Sequence, residues 1–376
     1  MKKFTLILAT VALLAAGCSK TEVVGPQNGK GINFAAYTAK TTKAAQTDVT
    51  TGNLTAFEVT AFGNGALYFD NVTFTKSTVW ESQTKYFWPA FSLTFCAYNT
   101  PIEYNNPDDP DKLAKITGFA RTITTTTQEL EVSPAAELAY QQDLVAAYAA
   151  DKRASDAVNT NHSLSLTFNH YLTQVTVKAT NENSTYQVVV DGVKIANMVG
   201  HGKYTFSENK MTAAPGNTNT AVYTATFDGK KLTSVAQEVM TNAGTGKWYL
   251  IPQTVTSWNP GTDYPNTTPS HGTYLALKVK ITANNGALKI YPATGENSGW
   301  MAVPIPSGLK FEQGKKYTVN INFFANNGAG YVDPEAGSDL DGNGAADDMG
   351  MKIIGGEIKF NATVDPWGNN DIEIDL

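Results

Sequence analysis

The sequence has little of what catalysis or cofactor binding usually draws on. Its 376 residues include two cysteines and four histidines, and only 16% are charged. Cys18 closes an N-terminal apolar run, which leaves Cys96 alone in the rest of the chain. That excludes an intramolecular disulfide framework and a thiolate metal cluster. His162, His170, His201 and His271 are not set at metal-ligand or general-base spacing. There is no Gly-x-Ser-x-Gly elbow, no phosphate-cradling glycine loop and no His-Glu-x-x-His. Positive charge is in deficit, with 28 Lys and Arg against 34 Asp and Glu. A net charge of −6 offers nucleic acid no electrostatic footprint. Beyond residue 17 no apolar run is long enough to span a bilayer. A non-enzymatic protein is the expectation; scattered carboxylates leave a glycosidase pair as the remaining route to chemistry.

What is present begins at the N-terminus. Lys2 and Lys3 precede an apolar run from Phe4 to Ala16 that ends Leu14-Ala15-Ala16-Gly17-Cys18. The charged start, the short apolar stretch and the small residues read as an export signal over residues 1–17. The closing residues resemble a bacterial lipobox, so Cys18 is the expected lipidation site. Several acyl chains, at about 0.8 kcal/mol per buried methylene, hold a protein where one chain holds it marginally. Ordinary signal cleavage with Cys18 incidental is the alternative.

Residues 19–30 are polar and read as a tether, and then alternation of period two recurs. Phe57, Val59 and Ala61 alternate with Glu58 and Thr60, and Leu93, Phe95 and Ala97 with Thr94, Cys96 and Tyr98. Val175 and Val177, Leu275 to Ile281, Tyr317 to Phe323 and Ile358 to Val364 follow the same rule. Turn signals include Gly63-Asn64-Gly65, Asp191-Gly192, Asp228-Gly229 and Asn285-Gly286. Short strands with polar turns predict an all-β fold of antiparallel sandwiches. Ser133-Pro134 with Glu137, Leu138, Leu144, Val145 and Tyr148 fits a capped helix, while residues 143–146 fit a strand equally well. The polar stretch Asp151 to His162 suggests a division, giving an N-terminal domain over 18–163 and a C-terminal domain over 164–376.

Two further features carry possible chemistry. In the acidic loop, Asp339, Asp341, Asn343 and Asp347 stand at positions one, three, five and nine, with Gly342 and Gly344 between them. That spacing resembles the start of a calcium loop, and Ca2+ is the one cofactor it offers a place to; position twelve is Gly350, not an acid. A solvated acidic linker is the favoured reading. Trp80, Tyr86, Phe87, Trp88 and Phe91 are dense enough for a carbohydrate platform, although such aromatics are more often inter-sheet core. His170 and Cys96 read as structural, Cys96 as a buried inert thiol.

The lipobox, residues 65–72 with Lys85-Tyr86-Phe87-Trp88-Pro89 and residues 93–98, residues 166–175, and Gly330 to Pro334 with Val364-Asp365-Pro366-Trp367 together resemble the fimbrillin family of Bacteroidetes. The resemblance implies an outer-membrane location and two tandem transthyretin-like antiparallel β-sandwich domains. It also implies a lipidated precursor, cut by a trypsin-like protease after its first strand and polymerised by donor-strand exchange. Here Ile32, Phe34 and Ala36 fit the first strand, within a strand and processing loop of about 31–51. Lys43 and Ala44 flank the expected cut, in a loop with Lys40 and Lys43 where the family usually has arginine. At the C-terminus Ile372, Ile374 and Leu376 alternate with Glu373 and Asp375, as a donor strand or as an ordinary closing strand. The implied partners are other fimbrial subunits, copies of itself or tip and anchor proteins, with the membrane through the lipid and a surface ligand on host or bacterial cells. A tip or anchor role, and a monomeric glycan-binding surface lipoprotein, are the alternatives.

Overall fold

Where side chains alternate in character along the sequence, the chain runs as paired strand. The computed structural model describes residues 30–38, 48–50, 52–99, 116–159, 162–214, 219–240, 246–260, 272–295, 297–335, 337–356 and 358–367. Among these there is no α-helix. The first strands are β1 (Phe34–Thr38), β2 (Ala56–Gly63), β3 (Ala66–Lys76), β4 (Trp80–Glu81), β5 (Leu93–Tyr98), β6 (Ile116–Ile123), β7 (Gln128–Pro134), β8 (Val145–Lys152) and β9 (Leu164–His170). Then come β10 (Thr173–Asn181), β11 (Tyr186–Val199), β12 (Gly202–Thr205), β13 (Lys210–Ala213), β14 (Asn219–Lys231), β15 (Gln237–Glu238), β16 (Trp248–Leu250) and β17 (Gln253–Thr254). The last are β18 (Tyr274–Ala283), β19 (Leu288–Tyr291), β20 (Gly299–Pro304), β21 (Lys310–Phe311), β22 (Lys315–Phe323), β23 (Tyr331–Val332) and β24 (Lys359–Pro366).

Seven strands close on themselves in the order β1-β4-β3-β2-β5-β8-β9. Phe34, Phe57, Val59, Phe74, Phe95, Val145 and Phe168 fill the interior. Closure leaves β5 apolar almost throughout, because both of its faces are covered. Leu93, Phe95 and Ala97 enter this core, while Cys96 and Tyr98 join a second one with Leu130, Tyr204 and Tyr249. A four-stranded sheet, β13-β12-β7-β6, lies over that second core and pairs strands from both halves of the chain. The C-terminal half is a sandwich. One sheet runs β15-β10-β22-β24, and the other β14-β11-β18-β20-β23. Val175, Val177, Val319 and Ile321 from the first share one core with Val188, Val190, Leu277 and Val279 from the second, the two-layer solution for sheets with one apolar face each.

The strand pairings add detail at four points. The division at 163/164 falls before β9, yet β9 pairs with β1 and β8 and completes the first barrel. Leu164, Leu166 and Phe168 are buried there, so the sheets part after His170. The sheets are also not purely antiparallel, because β1 runs parallel to β9 and β10 parallel to β22. Between 133 and 148 the strand alternative holds: a short 3-10 turn at Leu138–Tyr140 leads into β8. Finally, Asp191-Gly192 and Asp228-Gly229 are not turns. They face each other inside β11 and β14 where the register shifts, and the glycines mark the bulge. Gly63-Asn64-Gly65 and Asn285-Gly286 do turn the chain, with positive φ at Asn64, Gly65, Asn285 and Gly286.

Candidate functional site

β1 is short and held on both sides. Along one edge it pairs with β9 from Phe34↔Leu164 to Thr38↔Phe168. Along the other, Phe34 is opposite Trp80 of β4, and just before the strand Ile32 N donates to Tyr86 O at 2.8 Å. Ile32, Phe34 and Ala36 point inward and are buried. The Phe34 ring meets Phe74 at 4.7 Å, Phe95 at 5.4 Å and Phe57 at 6.1 Å between centroids. Burying Phe34 and Ile32 contributes about 1.5–3 kcal/mol each, as an upper estimate against a fully extended chain.

The chain is next described at Asp48, and there it enters a buried polar junction built almost wholly from the C-terminal half. The Asp48 carboxylate, with no exposed side-chain surface, contacts Lys247 Nζ at 2.7 Å and Lys316 Nζ at 2.8 Å. Gln174 Nε2 at 2.6 Å and the Tyr249 hydroxyl at 3.0 Å also donate to it. Burial raises the Asp48 pKa, but hydrogen bonds from Lys247 and Lys316 and their charges outweigh burial, so the carboxyl lies below its ordinary value. Lys247 goes the other way: burial lowers it more than Asp48 raises it. The difference has a physical cause, since one carboxylate serves two ammonium groups and is over-compensated where each cation is not.

The residue after Asp48 ties the junction back to the barrel. Val49 N donates to Asp143 Oδ2 at 2.6 Å, and Asp143 Oδ1 is 3.0 Å from His170 Nδ1. His170 stacks on Trp367, which also stacks on Tyr249 and has Lys316 Nζ 5.7 Å from its ring centroid. The segment leaving β1 and the end of the described chain therefore meet in one cluster. Sequence reasoning missed it. Asp48 bonds partners 126, 199, 201 and 268 residues away, beyond any local pattern.

The expected site residues fall as follows. Cys18, Lys40, Lys43, Ala44, Ile372, Ile374, Leu376 and His271 lie outside the described residues. Cys96 is buried, and burial raises its thiol pKa. Trp80 and Trp88 are buried, Tyr86 and Phe91 pack half-buried against the barrel core, and Phe87 is half-buried, so none of the five is fully exposed. His201 is half-exposed, its Nδ1 2.9 Å from Ser133 Oγ.

In the acidic loop the structure gathers Asp339, Asp341 and Asp348, with one oxygen of each within 4.8 Å of the others. Asp348 thus takes the place expected of Asp347, which is exposed. The loop's own N–H groups already use these carboxylates. Gly342 and Gly344 donate to Asp339, Leu340 and Asp341 to Asp348, and Asn343 to Asp341. The Thr294 hydroxyl first, then the N–H groups of Gly344 and Gly342, hold the Asp339 carboxyl below its usual range.

The sequence matches the fimbrillin-like family over residues 27–337, most of its length. The chain belongs to the fimbrillin-like family. Among solved structures it is similar to a fimbrial protein from Bacteroides vulgatus, at 15% identity and TM-score 0.52, covering 90% of this chain and 99% of that one. A fimbrillin from Porphyromonas gingivalis is 11% identical with TM-score 0.44, covering 90% and 98%. The fimbrial anchor protein of the same organism is 12% identical with TM-score 0.31, covering 78% and 91%. No curated protein matches. This fimbrillin-like chain thus shares its all-β fold with a solved fimbrial protein.

Proposed function

We propose that this fimbrillin-like chain is the structural subunit of a cell-surface fimbrium, exported as a lipoprotein through Cys18, cut between Thr38 and Asp48, and polymerised by donor-strand exchange. The observation that carries the reading is the placement of β1. It supplies Ile32, Phe34 and Ala36 to the barrel core, while the chain beyond it is pinned separately at Asp48. A cut between them would free β1 without disturbing the junction. The opened groove would offer two strand edges and a lane of apolar pockets, a surface that natural proteins keep covered. Ile372, Ile374 and Leu376 repeat the alternation of Ile32, Phe34 and Ala36, so that segment of a second copy has the pattern to refill the lane by β-augmentation. Because groove and donor are different segments of the chain, the contact is heterologous, and its repetition grows a fibre.

The test is to treat the purified protein with a trypsin-like protease and follow its N-terminus and size. A single cut within 39–47 with a ladder of denaturant-resistant oligomers, lost when residues 372–376 are deleted, is the expected result. A clean cut that leaves monomer assigns a tip or terminating role. Resistance to cutting, with monomer throughout, overturns the polymerising reading in favour of an anchor.

A further inference from the structure

On the outer face of the β14-β11-β18-β20-β23 sheet, away from the core, one row of paired residues reads Lys194, Ala276, Ala302, Tyr331. The two alanines are fully buried and leave a shallow floor across which the lysine side chain can lie. Gly330, with φ 79°, makes the row possible at its far end, since a Cβ there would sit 2.3 Å from Met301 Sδ. Directly after β23 comes Asp333, completely buried, its N–H donating to Trp300 O at 3.1 Å. Lys194 Nζ reaches Asp333 Oδ2 at 2.5 Å.

What surrounds this pair goes beyond what an ion pair needs. Nζ is 5.1 Å from the Trp300 ring centroid and 5.8 Å from that of Tyr274, so two aromatic rings wall it. The other carboxylate oxygen, Oδ1, receives two donors: the Tyr274 hydroxyl at 3.0 Å and Glu335 N at 2.9 Å. Burial, then the charges of Asp333 and Glu335, push the Tyr274 pKa far up, so this hydroxyl keeps its proton and stays a donor. Its oxygen is also in hydrogen-bond reach of the Glu335 side chain, which places a second acid beside the first.

We propose that Lys194 and Asp333 are the partners of an intramolecular isopeptide bond that forms after folding and staples β11 to the strand-end beyond β23. The reaction begins with passage of one ammonium proton across the 2.5 Å to Oδ2, which gives an amine and a carboxylic acid. The amine lone pair attacks the Asp333 Cγ, as lysine amines do in covalent catalysis. Negative charge develops on Oδ1, where the Tyr274 hydroxyl and Glu335 N–H are already aimed, the arrangement of an oxyanion hole. The nitrogen gives up a second proton, Oδ2 departs as water, and a secondary amide remains. One ammonium and one carboxylate become one amide and one water, with no change of oxidation state and no outside reagent. Fixing both groups in one pocket supplies an effective concentration on the order of 10⁵–10⁸ M.

The bond is read by peptide mapping of the full chain, and the readout does not involve assembly. After denaturation and trypsin digestion, the peptides containing Lys194 and Asp333 are expected as one branched species, lighter than their sum by one water, with no cleavage after Lys194. The Asp333→Ala chain should give linear peptides only, and Tyr274→Phe should slow the appearance of the branched species in freshly made protein. If the wild-type chain, aged at physiological temperature, still yields two linear peptides and cleavage after Lys194, the pair is an ion pair alone and the proposal is overturned. Because that outcome is read on the wild-type chain, it stands even where a variant fails to fold.

Discussion

The imidazole of His170 lies flat on the indole of Trp367, ring centroids 4.1 Å apart and planes 12° from parallel. His170 ends the last strand of the barrel, and Trp367 follows the last strand of the C-terminal sandwich. The stack therefore joins the two units, with Asp143 fixing the imidazole from the far side. Trp367→Ala should cost about 3–5 kcal/mol, the usual range for removing a buried aromatic. Trp367→Phe should cost less than half of that, because among the described residues no acceptor meets the indole N–H, and a ring is kept. Urea unfolding checks both, with a changed midpoint and an unchanged slope marking a stability effect.

Asp48 gives the junction its dependence on pH. Its folded pKa is depressed by Lys247 and Lys316, so its contribution is complete above the unfolded carboxylate value and is lost as pH falls through the folded one. Asp48→Asn leaves two ammonium groups with no carboxylate between them, and should cost roughly 3–5 kcal/mol at neutral pH. Below about pH 4 the difference from wild type should shrink as the wild-type carboxyl takes up its proton. A series of urea midpoints from pH 7 downward measures it; a gap of constant size would show that the charge of Asp48 plays no part in it.

The strands were largely legible because their burial is one-sided. In β22, Tyr317, Val319, Ile321 and Phe323 are buried while the residues between are half-exposed, and a period of two shows plainly. In β8, Val145, Ala146 and Ala147 are buried in succession between two cores, so nothing alternates and helix and strand look alike. The allegiance of β9 was hidden for a related reason: Leu164, Leu166 and Phe168 suit either core, and only pairing with β1 assigns them. The junction and the Lys194–Asp333 pair lay out of reach because their members come from segments far apart in the chain. In the acidic loop the ligand pattern pointed to Asp347, but the turns at Gly342 and Gly344, both with positive φ, bring Asp348 inward instead.

Asp348 is expected to matter as a backbone acceptor. Its Oδ2 takes Leu340 N at 2.6 Å and Asp341 N at 3.1 Å. Asp348→Ala strands both donors in a partly buried loop and should cost about 1–3 kcal/mol, whereas Asp347→Ala, at an exposed neighbour, should stay within about 0.5 kcal/mol. Thermal melts of the two variants side by side test the distinction.

The sharpest expectation concerns Phe34, whose ring touches three other phenylalanines of the barrel core. In the uncut protein Phe34→Ala opens a cavity among Phe57, Phe74 and Phe95 and should cost about 3–5 kcal/mol. If the chain is cut between Thr38 and Asp48 and β1 leaves, residue 34 leaves with it. The same substitution should then have no effect on the dissociation of assembled oligomers, while Phe95→Ala, which stays in the groove, should weaken precursor and oligomer alike. Unfolding of the precursor and the temperature at which the oligomer ladder falls apart provide the two readings. A Phe34→Ala ladder less stable than wild type would mean that β1 remains in the assembled subunit, and that the groove is not refilled by another copy.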